Sequence, residues 1–210
     1  MYKRQTYIYD GSGWNDPGSE PITALYDLWG FDESDVWGVG MYGRVYHFDG
    51  FGWTMAGSPC SNTLRGIWGP SPGDIFTVGS SGNIFRLVDG TWTPMQSGAD
   101  VQLVDIWGTS AQDVFTVGMY GTVLHFDGEQ WSMMETPTGR SLYGVWGFAA
   151  DDVVAVGEYG TVIRYDGNSW AADDCGTGEH LRSVWGTSGT DIFAVGSLGT
   201  VLYYGLVEGP

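Results

Sequence analysis

Regularly spaced acidic residues are the first candidates for chemistry in this sequence. An aspartate recurs every 39 residues and lies six residues after a Trp-Gly step. The five positions are Asp35, Asp74, Asp113, Asp152 and Asp191. Such carboxylates could bind a metal ion or exchange protons, but each follows a turn, where aspartate commonly accepts hydrogen bonds from backbone N–H groups. We therefore interpret them as turn residues and predict no metal site, no cofactor and no catalytic carboxylate.

Two of the three histidines share one repeat position. His47 and His125 alternate there with Arg86, Arg164 and Tyr203. A position that accepts His, Arg and Tyr is typical of an amphipathic side chain between structural units, rather than of a metal ligand. No glycine-rich segment of the sequence precedes a predicted helix, as a nucleophile elbow or a nucleotide-binding loop would, and there is no HExxH zinc motif. We predict that the protein is not an enzyme and has no catalytic residues.

Tyrosines in a tight turn are better candidates for contact with a ligand. The segments VGMYG, VGSSG, VGMYG, VGEYG and VGSLG place Tyr42, Tyr120 and Tyr159 at one repeat position. A ring in such a turn is expected to be partly exposed, and an exposed ring with polar neighbours can stack on the C–H face of a sugar. The alternative is that these rings only cover the rim of the fold.

The elements that must position these residues follow the same period of 39 residues. One tryptophan series consists of Trp29, Trp68, Trp107, Trp146 and Trp185, and a second of Trp14, Trp53, Trp92, Trp131 and Trp170. A fixed period of this length indicates a solenoid, a propeller or a linear array. Each unit has four short apolar runs punctuated by Gly and Asp-Gly turns, which predicts four strands and almost no helix.

A four-stranded meander repeated around an axis is a propeller blade. The sequence therefore predicts one all-β domain over residues 1–210, a five-bladed β-propeller of antiparallel blades, with a linear β-solenoid as the less favoured alternative. The repeats are expected at about 25–63, 64–102, 103–141, 142–180 and 181–210. Residues 5–20 are expected to close the last blade. Within them, residues 12–20 would form its outer strand, and residues 5–9 would flank it or compete with residues 199–204.

The starts of the innermost strands carry a second group of candidates. Tyr26, Tyr143, Arg65 and Arg182 share one repeat position there. In a propeller this position lies at the mouth of the central channel, on the same face as the turn tyrosines. These four residues and the three turn tyrosines form the predicted ligand-binding set.

Composition limits the classes of partner. The net charge is −17 and Lys3 is the only lysine, so nucleic acid and anionic membrane surfaces are disfavoured. Neither a secretory signal nor a membrane-spanning stretch is visible in the sequence. The acidity suits a secreted or cell-surface bacterial protein, expected to be a monomer. A disulfide between Cys60 and Cys175 is left open.

The repeat resembles that of the Asp-box (sialidase or BNR-type) propellers, and within them that of the photosystem II assembly-factor family. The matching features are the Val-Gly-x-x-Gly hinge and the Asp-Gly-x-x-Trp hairpin, which occurs from Asp49, Asp127 and Asp166. By blade number the chain is also similar to tachylectin-type lectins. The resemblance implies a propeller that binds carbohydrate or assembles proteins. A sialidase-like site would use three arginines, of which Arg65 and Arg182 supply two.

The function expected from these features is a non-enzymatic binding module. The favoured hypothesis is lectin-like binding of a carbohydrate or glycoconjugate through the face of the inter-blade loops. The alternative is a protein-interaction or assembly scaffold with a protein partner, and the third is a sialidase-like glycoside hydrolase.

Overall fold

A computed structural model gives the fold and describes residues 8–9, 11–15 and 23–205. Antiparallel strands dominate these residues, and their only helical elements are short 3-10 turns. No helix in the described residues is long and apolar enough to cross a membrane. The all-β prediction is confirmed.

The strands form one hairpin and five larger sheets, which we call blades 1 to 5. The N-terminal hairpin contains β1 (Ile8–Tyr9) and β2 (Trp14–Asn15). Blade 1 contains β3 (Leu25–Asp32), β4 (Asp35–Gly40), β5 (Val45–Phe48) and β6 (Trp53–Gly57). Blade 2 contains β7 (Leu64–Ser71), β8 (Asp74–Gly79), β9 (Ile84–Val88) and β10 (Thr91–Met95).

Blade 3 contains β11 (Leu103–Ser110), β12 (Asp113–Gly118), β13 (Val123–Phe126) and β14 (Trp131–Met133). Blade 4 contains β15 (Leu142–Ala149), β16 (Asp152–Gly157), β17 (Thr161–Tyr165) and β18 (Trp170–Asp174). Blade 5 contains β19 (Leu181–Ser188), β20 (Asp191–Gly196) and β21 (Val201–Gly205). Every strand pairs with the next one along the chain in its blade, which is the predicted meander. The first strands begin at the predicted repeat boundaries, while the division into a single domain over 1–210 stays a prediction.

The Trp-Gly step is explained by packing between blades. The glycine makes room for the tryptophan of the preceding blade, because a Cβ on Gly108 would lie 2.8 Å from the Trp68 ring. A Cβ on Gly147 would overlap the Trp107 ring in the same way. The tryptophans of blades 3 and 4 also contact each other, with ring centroids 6.2 Å apart. The first tryptophan series therefore holds neighbouring blades together.

The second tryptophan series fills another layer of the same joints. Trp131 of blade 3 lies with its ring centroid 6.5 Å from that of Phe76 in blade 2. One joint further on, Trp170 of blade 4 lies 6.4 Å from Phe115 of blade 3. Phe76 and Phe115 are fully buried. Large aromatic surfaces removed from water at each joint dominate the stability of such a repeat.

In the described residues the carboxylates of the recurring aspartates bind other side chains instead of the backbone N–H groups of their turns, contrary to prediction. In blades 1 to 4 each one pairs with the basic residue twelve positions later, at nitrogen–oxygen distances of 2.6–2.7 Å. The pairs are Asp35 with His47, Asp74 with Arg86, Asp113 with His125 and Asp152 with Arg164. The two strands of each pair are neighbours in the sheet, which brings positions twelve apart in sequence together. The Asp and His/Arg positions therefore form one structural pair across each of blades 1 to 4.

The Asp-Gly hairpins have the structural role that the sequence indicates. Asp127 accepts hydrogen bonds of 2.9 Å from the backbone N–H groups of Glu129 and Gln130. These bonds lower the pKa of the Asp127 carboxyl. Asp49 and Asp166 make the same pair of bonds in their own turns. Each of these carboxylates is thus occupied by its own turn.

Closure of the last blade by residues 5–20 is not seen among the described residues and stays a prediction. β2 pairs with β1, with Tyr9 opposite Trp14, instead of with β21. Blade 5 consequently has three strands, and the outer edge of β21 has no strand beside it in the described part of the chain. Much of the segment 5–20 lies outside the described residues. Cys60 and Cys175 are free thiols, so the disulfide left open by the sequence is not formed.

Candidate functional site

The predicted binding face is built from five equivalent turns. After each Val-Gly step the chain enters a 3-10 turn whose central residue has a positive φ. The central residues are Tyr42, Ser81, Tyr120, Tyr159 and Leu198, with φ between 52° and 61°. Glycine follows each of them; a Cβ on Gly43, at φ 66°, would overlap the carbonyl oxygen of Cys60 in the next loop. The turn is therefore held tightly while its central side chain is directed outwards.

The three turn tyrosines are exposed, as the sequence indicates. Tyr42 is 59% exposed, Tyr120 74% and Tyr159 57%. Tyr159 is further fixed by its neighbour His180, whose Nδ1 accepts a hydrogen bond of 3.1 Å from the Tyr159 N–H. The two rings lie 4.7 Å apart between centroids. His180, which has no counterpart in other repeats, therefore supports one of the predicted ligand contacts.

Arginines lie over tyrosine rings on this face. The guanidinium carbon of Arg65 is 4.3 Å from the centroid of Tyr26, and that of Arg182 is 4.6 Å from the centroid of Tyr143. Looser pairs join Arg140 to Tyr159 at 5.5 Å and Arg44 to Tyr42 at 6.0 Å. An arginine stacked on an aromatic face keeps its N–H groups at the edge available for a ligand.

These four arginines differ from Arg86 and Arg164 in one respect. Arg86 and Arg164 each bind an aspartate, whereas none of the four stacked arginines forms an ion pair with a carboxylate of the described residues. The Nε of Arg65 is buried and has no hydrogen-bond partner in this part of the chain. In a protein of net charge −17, uncompensated guanidinium groups on one face are unexpected. They give this face a local preference for anionic groups.

The two tighter pairs surround a cavity of about 450 Å³ at the mouth of the central channel. Its lining includes Tyr26, Arg65, Tyr143 and Arg182, so the structure brings together four of the seven predicted site residues. Met119 and Gln102 add an apolar and an amide surface to the wall. Tyr42, Tyr120 and Tyr159 do not line this cavity; they stand on the rim outside it.

Two aspartates that the sequence analysis did not single out also line the cavity. Asp27 accepts a hydrogen bond of 2.9 Å from the backbone N–H of Ile67 in the next blade. Asp105 accepts one of 2.8 Å from Val145, again in the next blade. Both therefore bridge neighbouring innermost strands. A signal was present in the sequence, because the equivalent positions hold Gly or Ser in the other blades.

The environment of these carboxyl groups favours their neutral form. Burial raises the pKa of Asp105 to about 7, and the nearby Asp27 carboxylate adds to that rise. Burial likewise raises the pKa of Asp27 to about 6, against the opposing effect of its backbone hydrogen bonds. Two carboxyl groups that share a partly enclosed channel resist simultaneous ionisation. The charge of the channel mouth therefore depends on pH.

One further carboxylate lies near the rim. The hydroxyl of Tyr143 donates a hydrogen bond of 3.0 Å to Glu158, and the backbone N–H of Ser141 donates another of 3.0 Å. The Ser141 N–H bond and the Tyr143 hydroxyl keep the pKa of Glu158 low, while burial and the Glu158 bond raise that of Tyr143. Within the described residues, no group of three His, Cys, Asp or Glu side chains is arranged to hold a metal ion.

Comparison with known proteins finds relatives in fold but none in sequence. No protein-family profile matches the sequence, and no curated protein matches it either. Among solved structures, YCF48 from Cyanidioschyzon merolae superposes with a TM-score of 0.73 at 15% identity, covering 93% of this chain and 71% of that one.

A structure of YCF48 bound to D1 peptide gives a TM-score of 0.72 at 15% identity, over 93% of this chain and 68% of the other. The WD40 propeller domain of Doa1 gives a TM-score of 0.70 at 13% identity, over 88% of this chain and 69% of the other. Identities this low concern the fold alone. The chain is therefore an all-β propeller, similar in fold to YCF48 and to WD40 domains.

Proposed function

We propose that this chain is a protein-interaction scaffold that holds a peptide segment over the mouth of its channel. The observation that carries the proposal is the set of arginines stacked on tyrosines without a carboxylate partner. A guanidinium group in this state binds a carboxylate through two parallel hydrogen bonds, and the adjacent ring adds apolar contact. The cavity of about 450 Å³ has room for a few side chains.

The charge distribution narrows the class of peptide. The net charge of −17 repels a strongly acidic partner at a distance, whereas the arginines of the mouth attract a carboxylate at contact. The best ligand is therefore a segment that presents one or two carboxylates, such as Glu side chains or a C-terminus, within a neutral or basic partner. The structure of the similar propeller YCF48 bound to D1 peptide supports the proposal of a peptide ligand for this chain.

The carbohydrate hypothesis now has less support than its alternative. It rests on Tyr42, Tyr120 and Tyr159 alone, and the names of the similar structures describe YCF48, a peptide complex and WD40 domains. A neutral sugar would also leave Arg65 and Arg182 without the anionic partner that their stacking favours. The assignment of the seven site residues stays a prediction, as do a secreted or cell-surface location and the absence of enzymatic activity.

The test compares pairs of fluorescent peptides that differ only by Glu or Gln at one position, measured by fluorescence anisotropy. We expect the Glu peptides to bind more tightly and to lose about tenfold or more in affinity to the Arg65→Gln/Arg182→Gln variant. Arg86→Gln is the matched control, because Arg86 is already paired with Asp74 away from the mouth.

Equal binding of Glu and Gln peptides, or equal loss with the control variant, would contradict the proposal. A glycan array run in parallel distinguishes the carbohydrate hypothesis. Sugar binding that is lost in the Tyr42→Ala/Tyr120→Ala/Tyr159→Ala variant and retained without Arg65 and Arg182 would restore the lectin interpretation.

A further inference from the structure

Two carboxyl groups share the cavity at the channel mouth with the two arginines of the proposed site. Asp27 and Asp105 line it from blades 1 and 3, and Arg65 and Arg182 line it from blades 2 and 5. The arginines are the proposed contacts of a ligand carboxylate, whereas the aspartates have no part in that contact. Their position nevertheless places two further ionisable groups in the space that the ligand enters.

The packing of the innermost strands encloses these carboxyl groups. They occupy one repeat position, which across the five blades holds Asp27, Gly66, Asp105, Gly144 and Ser183. The glycines let neighbouring strands approach closely, since a Cβ on Gly66 would lie 3.1 Å from the Cα of Asp105. A Cβ on Gly144 would lie 3.1 Å from the Cα of Ser183 in the same way. The aspartates therefore stand in a narrow ring of backbone, where water screens their charges poorly.

The hydrogen bonds of the two aspartates come from the backbone. Each carboxyl accepts two bonds of 2.8–2.9 Å, one from the N–H of the residue that follows it and one from the next blade. Neither carboxyl has a cationic partner among the described side chains, whose ion pairs lie elsewhere in the blades. Two carboxyls held in one enclosed space without a cation resist simultaneous ionisation.

The protonation of these groups changes the charge that a ligand meets. Burial raises the pKa of Asp105 to about 7 and that of Asp27 to about 6, so both lose their protons close to neutral pH. With both protonated, the mouth carries the positive charges of Arg65 and Arg182. With both ionised, the aspartates cancel these charges and repel a carboxylate. A protonated carboxyl can also donate a hydrogen bond to a carboxylate, whereas an ionised one only accepts.

The other ionisable groups around the mouth do not supply the same change. The wall carries two phenols, Tyr26 and Tyr143, and phenols are neutral in this range of pH. Glu158, which is bonded to the Tyr143 hydroxyl, stays ionised because its hydrogen bonds lower its pKa. His180 lies beside Tyr159 and is not part of the cavity lining. Histidines commonly titrate near neutral pH, so this residue needs a control of its own.

We propose that Asp27 and Asp105 determine when the mouth accepts a ligand carboxylate, which binds at the arginines while the aspartates hold protons and is released when they ionise. This dependence rests on the proposed function, since it concerns the same carboxylate ligand. Because protonation and binding favour each other, formation of the complex draws protons onto the aspartates. The preference for a carboxylate is therefore strongest in mildly acidic solution.

Fluorescence anisotropy at pH 5.5 and pH 8, with the peptide pairs that carry Glu or Gln at one position, tests the proposal. We expect the ratio of Glu to Gln affinity to be about tenfold larger at pH 5.5 than at pH 8. In Asp27→Asn/Asp105→Asn the ratio is expected to be large at both pH values, because the amides carry no charge. Asp105→Asn alone, the milder change, should show a weaker pH dependence than the unchanged chain.

Two control variants separate this effect from general changes in charge. Asp89 is exposed and lies in the turn between β9 and β10, at the other end of blade 2 from the mouth. Asp89→Asn removes one negative charge and is expected to keep the full pH dependence. His180→Gln removes the titrating group of the rim and is also expected to keep it.

Isothermal titration calorimetry at pH 7, in buffers of different ionisation enthalpy, supplies the second readout. We expect the Glu peptide to bind with uptake of about half a proton per complex, and the Gln peptide or the double Asn variant with almost none. An equal preference for Glu at both pH values, or a larger one at pH 8, would overturn this proposal and leave the proposed function standing. Glu and Gln peptides that bind alike at both pH values would contradict the two together.

Discussion

The channel aspartates predict an unusual dependence of stability on pH. In an unfolded chain the carboxyl of Asp105 has its ordinary pKa of 3.8, whereas burial and the Asp27 carboxylate raise the pKa to about 7 in the folded protein. Between about pH 4 and pH 7 the folded state therefore holds a proton that the unfolded state has released. Stability falls as the pH rises through this window and is constant above it. Asp27, with a pKa of about 6, acts in the same direction.

The size of the effect follows from the same values. A rise from 3.8 to about 7 corresponds to about 4 kcal/mol, at about 1.4 kcal/mol for each pH unit. Asp105 retains contact with water in the channel, which reduces the cost of its charge, so we expect about 2 kcal/mol between pH 5 and pH 8. For a chain of this length that lowers the melting temperature by about 4–8 °C.

Asp105→Asn removes the charge and keeps the shape. The Asp105 carboxyl accepts backbone hydrogen bonds from both Ile106 and Val145. One of the two is lost in the variant, because the amide nitrogen cannot accept, at a cost of about 1 kcal/mol at every pH. The variant is therefore expected to be less stable than the unchanged chain at pH 5 and more stable at pH 8. Calorimetric melting at pH values from 5 to 8 measures how stability changes with pH in the unchanged chain and in the variant.

Asp100→Asn is the matched control, since Asp100 is exposed and its replacement changes the net charge equally. We expect this variant to keep the pH slope of the unchanged chain. If Asp105→Asn also kept that slope, or if the unchanged chain gained stability from pH 5 to pH 8, burial of these carboxyls would not govern the stability.

Three further predictions concern other residues. Tyr120→Gly is expected to stabilise the protein by about 1 kcal/mol in thermal melting, because a φ of 60° disfavours tyrosine. If the exposed ring contacts the ligand, the same change weakens peptide binding, which fluorescence anisotropy measures. Gly147→Ala is expected to lower the free energy of unfolding by about 1–3 kcal/mol, since its Cβ would overlap the Trp107 ring. Gly178→Ala is the control, because Gly178 has open space around it, and urea unfolding should show almost no change for this variant. Arg164→Met leaves Asp152 without its partner and is expected to lower the free energy of unfolding by about 1–2 kcal/mol, and by less at high salt. A loss of stability that salt does not change in urea unfolding would argue against an electrostatic origin.

The blades and their joints could be predicted from the sequence because packing between identical units imposes the same side chain at each repeat. Trp107 fits only where the next blade has a glycine, and this requirement appears as the Trp-Gly step. The exposure of Tyr120 could likewise be predicted, since a tight Val-Gly-x-x-Gly turn directs its central residue outwards. Local rules of this kind need only neighbours along the chain or one period away.

Contacts that join positions with no common pattern could not be predicted in this way. From the sequence, Asp113 is predicted to be a turn residue, and only the sheet shows that His125 lies beside it. Asp105 is predicted to be an ordinary strand residue, and only the arrangement of the blades brings it near Asp27. The N-terminal segment is a similar case. Trp14 in register predicts that residues 5–20 close the last blade, and this stays a prediction because the described residues show β2 paired with β1 only.

The sequence by itself determined the repeated blade, the strand order within it and the residues that hold blades together. Only the tertiary structure decided which side chains meet at the channel mouth. Arg65, Arg182 and the two channel aspartates come from different blades, and their separation depends on how the blades are arranged around the axis. The arrangement is set by the sum of the inter-blade contacts, a property of the whole ring that no single repeat encodes.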